Sequence, residues 1–205
     1  MQSWQPSLVT RSVERSAADD ALARDHLTTH APSYLPPSAH VPDWLRERCS
    51  RLEWQPSRQL LRTLRDYTRA RERGNALGTF QRRWAVLRHR FWSVVTGADI
   101  PLNSSRIAGG LMIPHPNGVV VHPEAIIGPN CVLFQQVTLG TGPRPGVPTL
   151  GGNVDVGPGA KILGGVTIGD HAIIGANAVV VNDVPAGAVA VGVPAVTKRI
   201  LPRGL

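Results

Sequence analysis

In this 205-residue sequence, His115 is the residue whose type and position most suggest acid–base chemistry. A six-residue pattern runs along the C-terminal half, and His115 falls where that pattern otherwise places Val, Ile or Leu. Histidine titrates near neutral pH and can take a proton from a hydroxyl group, so a histidine facing a cleft suits a general base. The alternative is a hydrogen-bonded core histidine, because an unpaired imidazole in an apolar interior is costly. Asp99, upstream of His115, is the candidate to orient the imidazole.

Other residues capable of chemistry give weaker signals. His122 and His171 each follow an inward position of the pattern, which predicts that both face solvent. Cys131 occupies a small inward position and is predicted to be a core residue rather than a reactive thiol. Neither Cys131 nor Cys49 has an obvious histidine neighbour, and no serine lies in a nucleophile-elbow motif. A covalent acyl-enzyme is therefore disfavoured.

The six-residue pattern indicates the elements that must position His115. Apolar residues recur along it, and small or β-branched residues lie two positions before each of them. The apolar set is Val121, Ile127, Leu133, Leu139, Val156, Ile162, Ile168, Ile174, Val180 and Ala186, and the preceding set is Val119, Ala125, Cys131, Val137, Val154, Ala160, Val166, Ala172, Ala178 and Val184. Neither the helical period nor simple alternation explains a period of six. The repeat is typical of a parallel β-helix, in which three short sides close each turn. A disordered Gly-rich tract or a sandwich of short strands is the alternative.

The pattern is interrupted twice. Residues 140–149 cannot continue the ladder and are predicted to protrude as a loop, a common place for function on a rigid scaffold. Upstream, Ile100 and Ile107 are seven residues apart instead of six.

The N-terminal half has a different organisation. Residues 1–43 are predicted to be irregular apart from a short helix around 13–28, residues 44–97 to be helical, residues 98–196 to form the coil and residues 197–205 a tail. Within residues 44–97 we expect a first turn at Trp44 and then two helices, separated by a break at Gly74 and Gly78. The apolar residues of the first helix are Leu60, Leu61, Leu64 and Tyr67. Those of the second, amphipathic helix, which ends at Gly97, are Phe80, Trp84, Leu87, Phe91, Val94 and Val95.

Charge and composition limit the classes of function. The net charge of +8 comes from the N-terminal half, where residues 58–92 hold ten arginines against Asp66 and Glu72. These arginines suit a solvated face or a face packed on a partner subunit, and a role at nucleic acid or a membrane surface is the alternative. We expect no nucleic-acid partner. No apolar run is long enough to span a membrane, no secretory signal is visible in the first 30 residues, and only two cysteines occur, so a cytoplasmic location is expected.

The repeats and several segments resemble the hexapeptide-repeat acyltransferases, and within them the serine O-acetyltransferase group. The segments are 110–121, 135–142, 159–164, 174–180 and 190–195, and the resemblance spans roughly residues 98–199. It implies a left-handed parallel β-helix, a homotrimer, and acetyl-CoA bound in a groove between adjacent subunits. Pairing into a dimer of trimers through the helices of residues 44–96 is a further expectation. The resemblance also implies that His115 removes the proton of an acceptor hydroxyl, which attacks the thioester directly, and that Asp99 supports His115, although their spacing is one residue longer than the family pattern.

Binding residues are likewise implied by the resemblance. Donor-groove residues would be Gly140, Thr141, Gly142, Pro158 and Ala176, and acceptor-binding residues would be Asn117, Glu124, Gln135 and Arg144. Lys198 and Arg199 could contact the CoA phosphates, and the alternative is that they are simply exposed basic residues. No metal is expected, because a thioester is already activated and backbone N–H groups can stabilise the oxyanion.

Two positions depart from the serine enzymes. Pro114 stands where that group has an acidic residue before the histidine, and Gly146 and Val147 stand where its loop carries an Arg-His pair. Both charges of an α-amino acid need partners, which Arg144 could supply only for the carboxylate. We therefore expect free L-serine to be a poor acceptor or to be held by residues outside the usual family positions.

Other functions stay open. The acceptor hydroxyl could belong to a sugar, a polysaccharide unit or a natural product rather than to serine. A metal-dependent lyase of the carbonic-anhydrase kind would need three converging histidines, but His115, His122 and His171 lack the close ligand pair expected there. A non-catalytic structural or binding solenoid is another alternative. The ice-binding kind shows an outward threonine ladder, whereas only Thr138 and Thr167 are expected within the coils here.

Overall fold

The computed structural model describes residues 37–50, 52–102 and 106–199. For Arg199 it describes the backbone only. The helix predicted around residues 13–28 and most of the irregular segment predicted for residues 1–43 lie outside the described residues. In the part that is described, no helix is both long enough and apolar enough to cross a membrane.

Two α-helices precede the coil. A short 3-10 helix, Trp44–Glu47, is followed by α1 (Pro56–Glu72) and α2 (Ala76–Thr96). The side chain of Asn75 caps the start of α2 by accepting a 2.8 Å hydrogen bond from Gly78 N–H. As predicted, Gly97 ends α2, and its left-handed backbone (φ 64°) is one that glycine adopts without strain.

Gly78 has a different role from the predicted helix break. The break contains Gly74, whereas Gly78 lies in the first turn of α2. A Cβ atom at Gly78 would come within 2.7 Å of the carbonyl oxygen of Ala70, so the residue allows α1 and α2 to approach closely.

The described residues after α2 form a left-handed parallel β-helix with three faces, as predicted. The first face contains β1 (Val120–Val121), β4 (Thr138–Gly140), β7 (Lys161–Leu163) and β10 (Val179–Val180). The second contains β2 (Ile126–Ile127), β5 (Thr149–Leu150) and β8 (Thr167–Ile168), and the third contains β3 (Val132–Leu133), β6 (Asp155–Val156), β9 (Ile173–Ile174), β11 (Ala188–Gly192) and the antiparallel β12 (Ala195–Arg199). Strand β12 therefore crosses the boundary predicted between the coil and the tail.

Inward residues stack in one column on each face. The columns are Ile100, Val121, Leu139, Ile162 and Val180; Ile107, Ile127, Leu150, Ile168 and Val184; and Ile113, Leu133, Val156, Ile174 and Ala190. Every one of these side chains is at most 3% exposed. Because each coil adds to columns already formed below it, the stack makes a narrow continuous core that needs few aromatic residues.

The prediction for Ala186 is wrong. Ala186 lies exposed in a turn, and Val184 takes the inward position by pairing with Ile168. The chain reaches the second face four residues after Val180 rather than six. The inward residue is therefore Val184, two positions before the residue that the six-residue pattern predicts.

The predicted loop is also shorter than expected. Gly140 ends β4, and Thr149 begins β5, so the segment between them is residues 141–148. It lies against the next coil, because the backbone N–H of Gly165 donates to Arg144 O at 3.2 Å. Leu150 pairs beside Ile127 and Ile168 and restores the column on the second face.

An ion pair between a half-buried arginine and a buried glutamate fastens the helices to the first coil. Arg65 donates to both carboxylate oxygens of Glu47, at 3.0 and 2.8 Å, and to the carbonyl oxygens of Ile107 and Ala108, both at 2.7 Å. The backbone N–H of Leu111 donates to the same carboxylate at 3.1 Å. These bonds satisfy most donors of the guanidinium, which offsets the free-energy cost of removing the two charged groups from water.

Candidate active site

Several predicted site residues lie along one corner of the coil, between the third face and the first. This corner, called the His115 corner, contains His115, Gln135, Pro158 and Ala176, each two residues after an inward residue of the third face. Backbone hydrogen bonds connect its levels: Gln136 N–H to Asn117 O at 2.9 Å, Gly159 N–H to Gln135 O at 2.9 Å and Asn177 N–H to Pro158 O at 2.8 Å. Neighbouring coils are about 4.8 Å apart, so four levels span about 14 Å along the axis.

His115 does not occupy the inward position that the sequence predicted. Met112 pairs with Val132, so Ile113 stacks beneath Leu133 and His115 lies in the turn beyond it with an exposed side chain. The interpretation as a buried core histidine is therefore excluded. An exposed imidazole on a rigid turn is accessible to a substrate hydroxyl, which is what a general base requires.

Asp99 lies on the outward side of the first face. It pairs with Val120, through Asp99 N–H to Val119 O at 2.8 Å and Val121 N–H to Asp99 O at 2.9 Å, and its side chain is exposed. Among the described residues, no hydrogen bond joins Asp99 to His115. The orienting role thus rests on the resemblance and not on a contact.

The charge of Asp99 acts on another histidine. Burial lowers the pKa of His89, while a hydrogen bond with the backbone at Ile100 and the charge of Asp99 oppose that decrease. His89 Nδ1 lies 2.9 Å from Thr63 Oγ1, so the ring sits where α1, α2 and the start of the coil meet.

Gln135 carries an unusual polar atom. Its side-chain oxygen Oε1 is buried and has no hydrogen-bond partner among the described residues. A buried acceptor without a donor is destabilising, which often indicates a site where a donor arrives with a ligand or partner. Asn117, two residues after His115, has an exposed side chain on the same corner.

The remaining predicted binding residues lie elsewhere. Gly140, Thr141, Gly142, Glu124 and Arg144 lie at the other end of the first face, where residues 141–148 leave the coil. The side chain of Glu124 is exposed, and its backbone N–H donates to His122 Nδ1 at 3.2 Å.

Arg144 is already paired. It donates to Asp183 Oδ1 at 3.0 Å, and the same oxygen accepts the backbone N–H of Thr167 at 2.8 Å. The hydrogen bond from Thr167 is the largest influence lowering the pKa of Asp183, and the bond and charge of Arg144 lower it further.

Lys198 and Arg199 are separated from the His115 corner. Lys198 is exposed and pairs with Val189, whereas the end of β11 nearest the corner, Gly192, pairs with Ala195. The backbone of Arg199 pairs with Ala188, at the far end of the third face.

The structure describes both cysteines and the two other candidate histidines, His122 and His171. As predicted, Cys131 is a core residue: it is fully buried, and burial raises the pKa of its thiol to about 12. His122 is half-buried and His171 is exposed. Within the described ranges, no group of three or more His, Cys, Asp or Glu side chains is arranged to hold a metal ion.

Comparisons with known proteins agree with this architecture. Residues 148–182 match the family model described as bacterial transferase hexapeptide (six repeats). This part of the coil is therefore similar to bacterial hexapeptide-repeat transferases. The chain is 45% identical over 104 residues to a serine acetyltransferase of Synechococcus elongatus, covering 49% of this chain and 42% of the relative. It is 46% identical over 106 residues to a serine acetyltransferase of Helicobacter pylori strain J99, covering 50% of this chain and 61% of the relative.

Solved structures of serine acetyltransferases are also similar to this chain. A serine acetyltransferase in complex with CoA has a TM-score of 0.60 and 31% identity, covering 71% of this chain and 58% of that chain. The serine acetyltransferase of Brucella abortus strain S19 has a TM-score of 0.60 and 28% identity, with the same coverage. The chain spans about half the length of the curated relatives it matches. These similarities confirm the resemblance noted in the sequence.

One signal in the sequence could have located His115 correctly. Leu111 and Ile113 repeat the spacing of Cys131 and Leu133, so the pair marks Ile113 as an inward position. Counting back from Val121 in steps of six instead assigns that role to His115. The pairing of Arg144 with Asp183 had no such signal, because it joins two turns far apart in the sequence.

Proposed function

We propose that this protein is a CoA-dependent O-acetyltransferase that moves an acetyl group from acetyl-CoA to a hydroxyl of a small, serine-like acceptor. The observation that carries the proposal is the exposed imidazole of His115 on a corner of a hexapeptide-repeat coil similar to that of serine acetyltransferases. A solved relative bears the description of a complex with CoA, which supports acetyl-CoA as the donor.

The proposed reaction needs one base and no covalent enzyme intermediate. His115 takes the proton of the acceptor hydroxyl as its oxygen attacks the thioester carbonyl carbon. The resulting oxyanion is stabilised by backbone N–H groups of the coil or its neighbour. The carbon–sulfur bond then breaks, the imidazolium returns its proton to the leaving thiolate, and the products are CoA and the O-acetyl ester.

Other residues have supporting roles in this proposal. Asp99 positions His115, and Asn117, Gln135, Glu124 and Arg144 contact the acceptor. Donor contacts are assigned to two sets that lie apart in one chain and would meet in a groove between adjacent subunits: Pro158 and Ala176 on the His115 corner, and Gly140, Thr141 and Gly142 at the other end of the first face. Lys198 and Arg199 are assigned to the phosphates of CoA. The corner from His115 to Ala176 runs along the coil axis, so an extended pantetheine arm along it would bring its thioester to the histidine.

We propose a homotrimer as the minimum assembly, extended to a dimer of trimers through residues 44–96. The support is the large apolar surface of α2, where Phe80, Trp84, Leu87 and Phe91 are all more than half exposed in the single chain. A three-sided coil packs naturally around a threefold axis, which also creates grooves between subunits. Sedimentation equilibrium should give the mass of a trimer or hexamer, and a monomer at micromolar concentration would contradict the shared groove. A cytoplasmic location, where acetyl-CoA is available and thiols stay reduced, completes the proposal.

Direct detection of the products tests the activity. The full chain is incubated with acetyl-CoA and L-serine, L-homoserine or common sugars, and mass spectrometry measures both free CoA and O-acetylated acceptor. We expect acceptor-dependent release of CoA with a matching ester product. Release of CoA at the same rate with and without every acceptor would contradict the proposed transferase.

A further inference from the structure

We propose that the ammonium group of Lys161 binds the carboxylate of the acceptor, which is then a hydroxyl-bearing carboxylic acid of the serine type. Lys161 is not among the binding residues that the family resemblance implies. This inference rests on the proposed transferase function and deepens it by naming a further acceptor-binding residue and the group of the acceptor that it recognises.

Lys161 lies beside the His115 corner. In β7 it precedes the inward Ile162, so its own side chain is on the outer side of the first face, where it is half-buried. Its ammonium donates to the carbonyl oxygen of Gln136, on the preceding coil. The backbone N–H of Gln136 donates to Asn117 O at 2.9 Å, and Asn117 is two residues after His115. The ammonium therefore lies one coil level from the turn that carries His115.

The charge of Lys161 is available to an anion. A lysine ammonium has three N–H donors, and the bond to Gln136 uses one of them on a neutral oxygen. In the part of the chain that the structure describes, Lys161 takes part in no ion pair. A carboxylate at this place would accept a charge-assisted hydrogen bond, which is stronger than the neutral bonds that the carboxamides of the corner can form.

The other cations of the coil are farther from the corner within one chain. The described side chains of residues 106–198 include four lysines and arginines. Arg106 and Arg144 lie at the opposite end of the first face, and Lys198 lies in β12 of the third face. Of these four side chains, Lys161 is the one whose charge lies at the His115 corner of the same chain.

The order of charges along the first face also favours this orientation of the acceptor. The outward positions on successive coils are Asp99, Val120, Thr138 and Lys161, so a negative group and a positive group are separated by two uncharged residues. The carboxylate of a ligand is repelled at the Asp99 end and attracted at the Lys161 end. In serine the hydroxyl and carboxylate groups are on neighbouring carbon atoms, which suits a base and a cation about one coil spacing, or 4.8 Å, apart.

The phosphates of CoA are the other anionic groups in the reaction. During transfer the thioester must lie at His115, and the whole pantetheine arm separates the thioester from the phosphates. A cation one coil level from His115 is therefore too close to the reacting carbon to be a phosphate partner. The carboxylate of the acceptor is the anion that fits this position.

A matched pair of acceptors tests the inference on the wild-type protein. L-Serine and L-serinamide carry the same hydroxyl and amino groups, and a neutral amide replaces the carboxylate in L-serinamide. We expect kcat/KM to be at least about tenfold higher for L-serine. Transfer to L-serinamide, galactose or N-acetylglucosamine as fast as transfer to L-serine would overturn the inference.

A variant then tests Lys161 itself. Lys161→Met keeps an unbranched side chain and removes the ammonium, so kcat/KM for L-serine should fall by about ten- to a hundredfold. We expect kcat/KM for L-serinamide and the KM for acetyl-CoA to stay within about twofold. Arg58→Met is the matched control, because Arg58 is also half-buried and donates to a backbone carbonyl oxygen, that of Arg48, at 3.1 Å. It should leave all three values near those of the wild type.

The pattern of losses in Lys161→Met decides the outcome. Equal losses on L-serine and L-serinamide would show that Lys161 supports the corner and does not bind the carboxylate. A change confined to the KM for acetyl-CoA would place its charge at the phosphates. Either result would overturn the inference. Absence of transfer to every acceptor by the wild type, with acetyl-CoA still bound, would instead remove the proposed transferase function.

Discussion

The coil and the helical pair bury their apolar residues to very different extents. In the coil, Leu139, Ile162 and Ile168 are fully buried within one chain. In α2, by contrast, Trp84 is 57% exposed and Leu87 58% exposed. The part of α2 that packs against α1 uses small residues such as Gly78 and Ala85.

This difference indicates how each region obtains its stability. A coil stacks on its own neighbours, so its core is complete within the described chain. An amphipathic helix with its large residues in solvent exposes a surface of the kind that marks an interaction site. The coil is therefore expected to be stable by its own contacts, whereas the outer face of α2 depends on contacts beyond the single chain.

The largest expected effect is in the coil core. Leu139→Ala removes a fully buried side chain from the first-face column and leaves a cavity, so the free energy of unfolding should fall by about 3–5 kcal/mol. Urea denaturation followed by circular dichroism measures the change. Leu87→Ala is the matched control, with the same chemical change at an exposed site. If Leu87→Ala lowered the free energy of unfolding as much as Leu139→Ala, at every protein concentration, the proposed difference in stability between the coil core and the outer face of α2 would be contradicted.

The next effect concerns the junction of the two regions. Glu47→Gln keeps the shape of the side chain but leaves the charge of Arg65 without its carboxylate partner. Because the carboxylate is only 7% exposed, we expect the free energy of unfolding to fall by about 3 kcal/mol, compared with less than about 1 kcal/mol for an exposed pair. Asp183→Asn, which weakens the pair with Arg144 whose two side chains are each 53% exposed, is the control. Equal losses for the two variants would argue against the junction as a fixed contact.

A smaller effect is expected for the exposed face of α2. The double variant Trp84→Ser and Leu87→Ser should shift the association equilibrium toward smaller species while far-UV circular dichroism stays unchanged. Sedimentation velocity over a range of protein concentrations measures the shift. If the assembly is as tight as in the wild type, the exposed face of α2 is not a subunit contact.

The smallest effect concerns His89 at the junction. Since burial lowers the pKa of His89 in the folded state, the unfolded state binds more protons just below the ordinary histidine pKa of 6.5. The contribution of His89 to stability is therefore present at pH 7.5 and decreases as the pH falls through 6.5 toward the lowered value. Urea midpoints at pH 7.5 and pH 5.5 should differ more for the wild type than for His89→Gln. The same pH dependence in both proteins would exclude His89 as the cause.

The sequence predicted regular features better than local ones. A period of six identifies columns of inward residues because each coil repeats the same steric requirement, and Gly97 identifies a helix end because only glycine adopts that backbone easily. Leu150 was not predicted as a strand residue because residues 141–148, inserted between β4 and β5, interrupt the six-residue pattern. His115 was assigned to the wrong column because the turn after Ile113 is longer than the others.

The positions of the candidate site residues on the coil follow the repeat only in part. Pro158 and Ala176 are 18 residues apart, which is three repeats. His115 and Gln135 lie on the same corner although the longer turn after Ile113 and the segment 141–148 break the repeat. Whether a side chain is free depends instead on contacts between distant turns. The pairing of Arg144 with Asp183 and the unpartnered oxygen of Gln135 are contacts of this kind, and no periodic pattern contains them.

The kinetics of His115→Ala test the central claim most directly. The side chain is exposed, so its removal should not disturb the fold, and the acetyl-CoA affinity should stay nearly unchanged. His171→Asn is the matched control, because His171 is another exposed histidine whose left-handed backbone (φ 58°) also suits asparagine. We predict that kcat for acetyl transfer falls by about 10²–10⁴-fold in His115→Ala and stays near the wild-type value in His171→Asn. Near-normal turnover of His115→Ala on an acceptor that the wild type uses would contradict the assignment of His115 as the general base.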